Sequence, residues 1–219
     1  MSKDAELPRR ARGRPQLRPD DETRRLVIEA ARHEFHASGY ARASMAAVAQ
    51  RAGVSTKTMY RLIPTKAELF RSVVSERISR FILALDAAAY ATLPIEEALE
   101  RVVLAFGTLT LDEETIALYR LVLGESDRFP EIAATFYDSA VHRTTEAMEG
   151  WLRVQCGRDL IALDDVPMAT GMLRGMMIME PQRAVMMGLQ AAPDSAEIAA
   201  RAGACARLFL DGCRRAPKG

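Results

Sequence analysis

The sequence has few of the residues that build disulfide-stapled, secreted or membrane-spanning proteins. Its three cysteines, Cys156, Cys205 and Cys213, are an odd number, and their spacing matches no zinc or redox motif, which favours a reducing compartment. No apolar run is long enough to cross a bilayer, and the charged N-terminal segment does not resemble a signal peptide. These absences predict a cytoplasmic protein without a membrane span.

Motifs that carry catalysis or bind cofactors are also missing. The 153 residues after Lys66 contain one histidine, and they have neither a glycine-rich phosphate loop nor a nucleophile elbow. Glu29, His33 and His36 share one face of a predicted helix at a spacing that suits a metal. That face lies opposite the apolar residues, however, so solvent exposure explains it better. We therefore expect no enzymatic activity, no metal and no cofactor.

Helical patterns dominate what is present. Hydrophobic residues make up 49% of the 219 residues, enough to bury one or two sizeable cores. Amphipathic helical segments recur along the chain, whereas neither a sustained period-2 pattern nor a hairpin signal occurs. The predicted fold class is all-α, with a three-helix N-terminal domain, a larger C-terminal helical bundle and about nine to ten helices in total.

The net charge of +1 hides two modules of opposite charge. Residues 1–66 carry 14 basic and 7 acidic side chains, a net of +7, whereas the remaining 153 residues carry 16 and 22, a net of −6. Such asymmetry indicates a polyanion partner for the basic module. The chain is therefore divided into a basic flexible arm (1–19), a small basic domain (20–66) and a larger acidic helical domain (67–215).

Start and stop signals predict the individual helices. Acidic residues from Asp20 open the first helix, which Gly39 ends, and serine N-caps open the second helix at Ser44 and the third at Ser55. The later helices are predicted between prolines and acidic caps. They span 66–89, 95–110, 112–125, 130–156, 165–179, 181–189 and 194–214.

Segment 44–62 has the architecture of a helix-turn-helix. Ala49 is small where the two helices must approach closely, and Gly53 occupies the turn, where a left-handed backbone is costly for most other residues. The second helix of such a unit enters the major groove of DNA with its N-terminal residues at the base edges. The segment therefore predicts sequence-specific DNA binding.

The helix that begins after Ser55 supplies the predicted base contacts. Thr56, Lys57 and Arg61 face outward on it; lysine can donate to guanine, and threonine can offer a hydroxyl and a methyl group to thymine. The other predicted DNA-binding residues, mostly backbone clamps that set the register, are Ser44, Ser55, Thr58, Tyr60 and Lys66. The alternative is that the serines act only as caps and that the tyrosine only packs.

A specific string of residues runs through 24–70. It consists of Ile28, Ala30, Ala31, Phe35, Gly39, Tyr40, Ser44, Met45, Val48, Ala49, Ala52, Gly53, Val54, Ser55, Thr58, Tyr60, Lys66, Leu69 and Phe70. The string resembles the N-terminal DNA-binding domain of the TetR family of bacterial regulators, with Ile63 standing where the family usually has an aromatic residue. The resemblance implies a homodimer with two recognition helices in successive major grooves of a palindromic operator. It also implies a C-terminal domain that dimerises and binds a small-molecule effector.

The arm contains Arg12-Gly13-Arg14-Pro15, which resembles the core of an AT-hook. In such a motif, Arg12 and Arg14 lie in a narrow A·T-rich minor groove, whose concentrated negative potential attracts arginine. The alternative is a basic tail that is only solvated or that contacts phosphates without reading sequence.

The stretch from Leu118 to Tyr137 resembles the C-terminal domain of AefR-like members of the same family, and this resemblance supports the fold more than any ligand. The candidate effector-pocket residues are Phe106, Tyr119, Phe136, Tyr137, His142, Met172 and Met176. Seven of the eleven methionines lie from Met168 to Met187. Because four of these follow helical spacing, they could form ordinary core, a dimer seam or a pocket wall.

The function expected from these features is that of a transcriptional regulator, a repressor that binds a palindromic operator as a homodimer. A small-molecule effector would release it from double-stranded DNA. The alternative is an architectural DNA-binding protein with no effector. A discrete symmetric footprint would indicate the regulator, and diffuse coverage of A·T-rich DNA the architectural protein.

Overall fold

The computed structural model describes residues 19–85, 90 and 92–213. Within these residues the fold is α-helical and contains no β-strand, which confirms the all-α prediction. The elements are α1 (Asp20–Arg42), α2 (Met45–Arg51), α3 (Thr56–Leu62), α4 (Lys66–Ala84), α5 (Ile95–Thr110), α6 (Glu113–Glu125), α7 (Pro130–Phe136), a π-helical turn (Tyr137–His142), α8 (Arg143–Gly157), α9 (Val166–Met186) and α10 (Ser195–Cys213). None of these helices is long and apolar enough to cross a membrane in the part of the chain that the structure describes.

The helix-turn-helix begins where the sequence predicts, because both serines cap their helices. Ser44 Oγ accepts the Ala47 N–H at 3.1 Å, and Ser55 Oγ accepts the Thr58 N–H at 3.1 Å. Each bond satisfies an N–H group that the first helical turn leaves without a partner. The predicted starts of α2 and α3 are therefore confirmed.

The two predicted glycine stops are also confirmed by the backbone. Gly39 has φ +73° and interrupts α1 before its last turn, and Gly53 has φ +67° in the turn between α2 and α3. A side chain at either position would be strained in this left-handed conformation. Gly39 has a second requirement, because a Cβ there would lie 2.6 Å from Glu125 Oε1.

The first four helices share one apolar core, which we call the N-terminal core. At its centre the ring of Phe35 meets Phe70 edge to face at 5.6 Å and stacks on Tyr40 at 5.8 Å. The core continues beyond Lys66, where the charge along the chain changes sign. It also includes Val122, Ile132, Phe136 and Ala140 from the later helices. The DNA-binding helices are thus packed directly onto α6, α7 and the π-helical turn.

The second core lies among α5, α8, α9 and α10. Phe106, Leu173 and Met177 are fully buried in it, and Trp151 is nearly so. Helix α4 joins the two cores, because its first half contributes to the N-terminal core and Phe81 contributes to the second. A shift of α4 would therefore change the packing of both cores.

The later helices differ from prediction at Pro181. The sequence predicts separate helices over 165–179 and 181–189, but α9 runs unbroken through Pro181. Proline has no N–H to donate to the carbonyl four residues earlier, which is that of Met177. Arg201 of α10 compensates: its Nε donates to Met177 O at 2.8 Å, and its Nη2 donates to Met176 O at 2.7 Å. A neighbouring helix thus supplies the hydrogen bond that proline removes.

Two other boundaries also differ from the sequence pattern. The predicted helix 130–156 is continuous in direction but contains the π-helical turn at Tyr137–His142, so that one extra residue is accommodated in the middle. Helix α4 ends at Ala84. The predicted end of that helix near Ala89 lies outside the described residues.

Candidate functional site

The N-terminal end of α3 is the most exposed part of the helix-turn-helix. Ser55, Thr56 and Lys57 are all exposed, and Tyr60 is 52% exposed on the next turn. Met59 and Leu62 of the same helix are buried in the N-terminal core, which fixes the rotation of α3. The face predicted to meet DNA is therefore the face that the fold leaves open.

Lys57 is the cation on this face that is available to a partner. It forms neither an ion pair nor a hydrogen bond with any residue of the described ranges. Thr56 beside it is equally exposed. Lysine and threonine in this position can reach both guanine acceptors and the thymine methyl group. Their base contacts stay a prediction.

Arg61, the third predicted base contact, already has a partner in the protein. Its Nη1 and Nη2 donate to the two carboxylate oxygens of Asp20 at 2.8 and 2.6 Å. This pair ties α3 to the first turn of α1, and Arg24 adds a second tie by donating to Leu62 O at 2.9 Å. A base contact by Arg61 would require this exposed pair to break, and that contact stays a prediction.

Lys66, predicted as a phosphate clamp, is also engaged within the protein. Its Nζ donates to the carbonyls of Tyr40 at 2.6 Å, Ala43 at 2.9 Å and Ala41 at 3.3 Å, and it lies 4.5 Å from the centroid of the Tyr40 ring. Burial lowers the pKa of Lys66, and the nearby carboxylates of Glu125 and Glu131 oppose that shift. The Lys66 ammonium thus donates to three carbonyls at the end of α1. A phosphate contact would have to replace one of these three hydrogen bonds.

The remaining predicted DNA-binding residues combine a structural contact with an exposed position. Ser44 and Ser55 cap their helices and are exposed, and the Thr58 hydroxyl lies 2.9 Å from that of Ser55. Capping through the hydroxyl oxygen leaves these groups next to the helix N-termini, where phosphates are favoured. Their phosphate contacts stay a prediction. Arg12 and Arg14 lie outside the described residues.

A second candidate site is a half-open cavity of about 160 Å³ that residues of α4 to α9 line, which we call the central cavity. Tyr119 and Phe136, both predicted as effector-pocket residues, line it with their rings stacked at 5.4 Å. Apolar side chains form most of the remaining wall, including Ile78, Leu118 and Ile178. Such an apolar lining with a few polar groups is typical of small-molecule sites.

The other predicted effector residues lie elsewhere. Phe106 is fully buried in the second core, and Met176 packs against that core from its edge. Tyr137 is 60% exposed, because its side chain is rotated by about 100° around the helix axis from that of Phe136, and Met172 is 62% exposed. His142 is on the surface, 3.8 Å from Glu146. The structure therefore brings together two of the seven residues around the cavity and leaves three at the surface.

Sequence reasoning missed two arginines of the central cavity, Arg77 and Arg174. The only signal for Arg174 is a basic residue in the middle of a methionine-rich helix. Arg77 pairs with Asp112 and Glu114, and Glu114 also accepts from Arg32 of α1 at 3.1 Å. These four residues form a network, here called the interhelix ion-pair network, that connects the cavity wall to the DNA-binding domain.

A larger cavity of about 540 Å³ lies on the other side of the network. It is lined by residues of α1, α4 and α6, and it shares Arg77 and Leu118 with the central cavity. His33 and His36 lie on its rim, and His33 Nε2 is 3.3 Å from Glu29. No cluster of metal-binding side chains occurs among the residues that the structure describes.

Two family models match the chain. One, described as bacterial regulatory proteins of the tetR family, matches residues 27–73. The other, described as the C-terminal domain of an AefR-like transcriptional repressor, matches residues 97–212, which is more than half of the chain. No curated protein sequence matches this chain.

Solved structures show the same fold over most of the chain. A TetR-family transcriptional regulator from Mesorhizobium loti is 26% identical, with a TM-score of 0.78 over 90% of this chain and 98% of that one. The flavonoid-responsive regulator FrrA is 25% identical, with a TM-score of 0.70 over 91% and 100%. FadR from Bacillus subtilis in complex with stearoyl-CoA is 20% identical, with a TM-score of 0.67 over 86% and 98%, and it supports the fold alone.

Proposed function

The chain belongs to the TetR family of bacterial regulators and is a DNA-binding transcriptional regulator, and from that premise we propose that it is a homodimeric repressor released from a palindromic operator by a small molecule. The observation that carries the proposal is the capped, exposed end of α3, where Thr56 and Lys57 are available to base edges. One such helix reads few base pairs, so useful specificity requires a second copy in the next major groove.

Dimerisation is supported by apolar side chains that one chain leaves in solvent. Met168, Met172 and Met179 of α9 are 59%, 62% and 55% exposed, and Leu208 of α10 is 67% exposed. The spacing of the methionines places them on one face of α9, and an exposed apolar face marks an interaction surface. Of the three interpretations of the methionines, the dimer seam is favoured for these three, whereas Met177 belongs to the core.

Release by an effector is supported by the position of Arg77. This side chain lines the central cavity and also holds Asp112 and Glu114 of the interhelix ion-pair network. A molecule that fills the cavity and favours one position of Arg77 would change how Arg32 holds α1 to α6. An effector shifts an equilibrium only by its differential affinity for two states. Here the two states would differ in whether Arg77 keeps its ion pairs with Asp112 and Glu114.

The proposal is tested by footprinting purified protein on the DNA upstream of its own and neighbouring genes. A discrete, symmetric protected region at moderate salt is the expected result. Diffuse coverage that follows A·T content would instead support the architectural protein, and no binding at moderate salt would contradict both.

Substitution of Lys57 by alanine should change base preference and not only affinity. We expect affinity for the operator to fall by about tenfold or more, with relaxed discrimination at one base pair of each half-site, since a good base contact is worth about 1–3 kcal/mol. Fluorescence anisotropy on operator variants at constant salt measures this. Arg153→Ala, which removes an exposed arginine of α8, is the matched control. An equal loss on operator and random DNA for Lys57→Ala would remove this residue from the base-reading set.

The arm should contribute through the flanks of the operator. Deleting residues 1–18, which removes Arg12 and Arg14, is expected to weaken binding mainly when the flanking sequence is A·T-rich. Affinities of the full chain and the truncated chain are compared on operators with A·T-rich and G·C-rich flanks. If the deletion costs the same on both, the arm acts by general electrostatics alone.

A further inference from the structure

A partly buried positive charge lines the central cavity without a carboxylate partner. Arg174 of α9 forms no ion pair with any described residue. Its Nη1 donates to Thr145 Oγ1 and its Nη2 to Thr144 Oγ1 at 3.4 Å, whereas its Nε is buried and has no hydrogen-bond partner. A partly buried guanidinium with no anion beside it is stabilised when an anion accepts from the Nη1 and Nη2 hydrogens that the threonines leave unused.

The groups around Arg174 hold its side chain in place but do not neutralise its charge. Its guanidinium carbon lies 5.0 Å from the centroid of the Phe106 ring. Burial lowers the pKa of Arg174, and the more distant Tyr137 and Glu149 only partly oppose that shift. Arg77, the other arginine of the cavity, is neutralised by two carboxylates. Arg174 is therefore the cation of this cavity whose charge the protein leaves uncompensated.

The two threonines hold the guanidinium in place. The Thr144 hydroxyl donates to Ala140 O at 2.7 Å, and the Thr145 hydroxyl donates to Val141 O at 2.7 Å. Because each hydroxyl has a single hydrogen and uses it on the helix, it presents lone pairs to Arg174. The carbonyls belong to the π-helical turn, a feature that is frequent at functional sites. Neutral hydroxyls orient the cation but do not neutralise it.

We propose that Arg174 binds the carboxylate of the effector, and that the effector is a monocarboxylic acid with a small apolar body. This inference rests on the proposed effector-controlled function. Arginine and carboxylate form charge-assisted hydrogen bonds of matching geometry. The cavity volume of about 160 Å³ is close to that of an apolar protein cavity of about 150 Å³ that holds benzene. The apolar body is thus one ring or a short chain, in contact with the stacked rings of Tyr119 and Phe136.

Calorimetric titration of the full chain, without DNA, tests the ligand class. The probes are benzoate and hexanoate, each paired with its neutral amide. We expect the carboxylates to bind at least about tenfold more tightly than the amides, and Arg174→Met to remove that preference. Arg153→Met is the matched control, because it removes an exposed arginine of α8 that does not line the cavity.

Thermal unfolding of the same variants separates a ligand-binding role from a structural one. Without ligand, Arg174→Met should unfold at the same temperature as the parent or higher, because it removes a partly buried charge that no carboxylate compensates. Added benzoate or hexanoate should raise the unfolding temperature of the parent and of Arg153→Met but not that of Arg174→Met. Binding of the amides as tight as that of the acids, absence of carboxylate binding, or an equal loss of both in Arg174→Met would overturn the inference.

Operator release is measured separately, so that failure of the two proposals can be told apart. If the carboxylates bind through Arg174 but leave the operator complex intact, the carboxylate site stands and effector control by it fails. If neutral compounds release the operator and carboxylates do not bind, effector control stands and the assignment of Arg174 is overturned.

Discussion

The double variant Met172→Glu/Leu208→Glu should be a monomer and should bind the operator at least about a hundredfold more weakly than the parent. Both side chains are more than 60% exposed in the single chain, so the substitutions need not disturb its cores. In a two-fold seam they would place like charges next to each other in an apolar contact. Loss of the dimer also removes the bivalent engagement of two half-sites, which is worth about 10²–10⁴ in affinity.

Analytical ultracentrifugation and anisotropy on the operator give the two readouts for this double variant. Leu83→Glu is the matched control, because Leu83 is 77% exposed but lies on α4 rather than on α9 or α10. Circular dichroism confirms that each variant is folded. A double variant that remains dimeric, with operator affinity equal to that of Leu83→Glu, would show that the exposed methionines are not the seam.

The DNA-binding helices could be predicted closely from the sequence because their signals are local. A serine N-cap acts on an N–H group three residues away, as Ser44 does on Ala47 and Ser55 on Thr58. A glycine stop such as Gly53 depends on one residue's backbone angles. Each helix start or stop depends on a few adjacent residues, so it can be predicted without knowing the tertiary structure.

The roles of the charged residues could not be predicted in this way, because their partners are distant in sequence. The pattern around Arg61 gives no sign of Asp20, 41 residues earlier, which accepts from it in the protein without DNA. The pattern around Lys66 gives no sign of the three carbonyls at the end of α1 that accept from it, and the DNA contacts of both residues stay predictions. A helical wheel shows that a cation is exposed to one side, but not which acceptor the tertiary fold brings there.

The C-terminal helices show the same limit for proline and for aromatic residues. Pro181 breaks a helix by local rules, but Arg201 of α10 supplies the missing donor. Phe136 and Tyr137 are equally plausible pocket residues in the sequence, and only the rotation of the helix separates the one that lines the cavity from the one in solvent. Helices can thus be predicted from neighbouring residues, whereas the residues that line a cavity cannot.

One carboxylate of α6 accepts two backbone hydrogen bonds from the end of α1, beside the Arg32–Glu114 pair and the shared N-terminal core. Glu125 Oε1 accepts the Tyr40 N–H at 2.8 Å, and Oε2 accepts the Ala41 N–H at 2.7 Å, directly after Gly39 turns the chain. A carboxylate at the C-terminal end of a helix such as α6 is disfavoured by the helix dipole. The two hydrogen bonds offset this unfavourable interaction. The nearby ammonium of Lys66, which donates to carbonyls of the same segment, also offsets it.

Glu125→Ala should therefore destabilise the whole chain by about 2–4 kcal/mol, since a hydrogen bond to a charged group is worth about 1.5–3 kcal/mol and two donors would lose their acceptor. For a protein of this size the unfolding temperature should fall by roughly 4–16 °C, and the fall for Glu125→Gln, which retains one acceptor, should be intermediate. Thermal and urea unfolding measure both. Glu113→Ala, at the opposite end of α6, should cost less than about 1 kcal/mol. If Glu125→Ala unfolded like Glu113→Ala, water would satisfy the two N–H groups equally well, and the carboxylate could not be what holds α1 against α6.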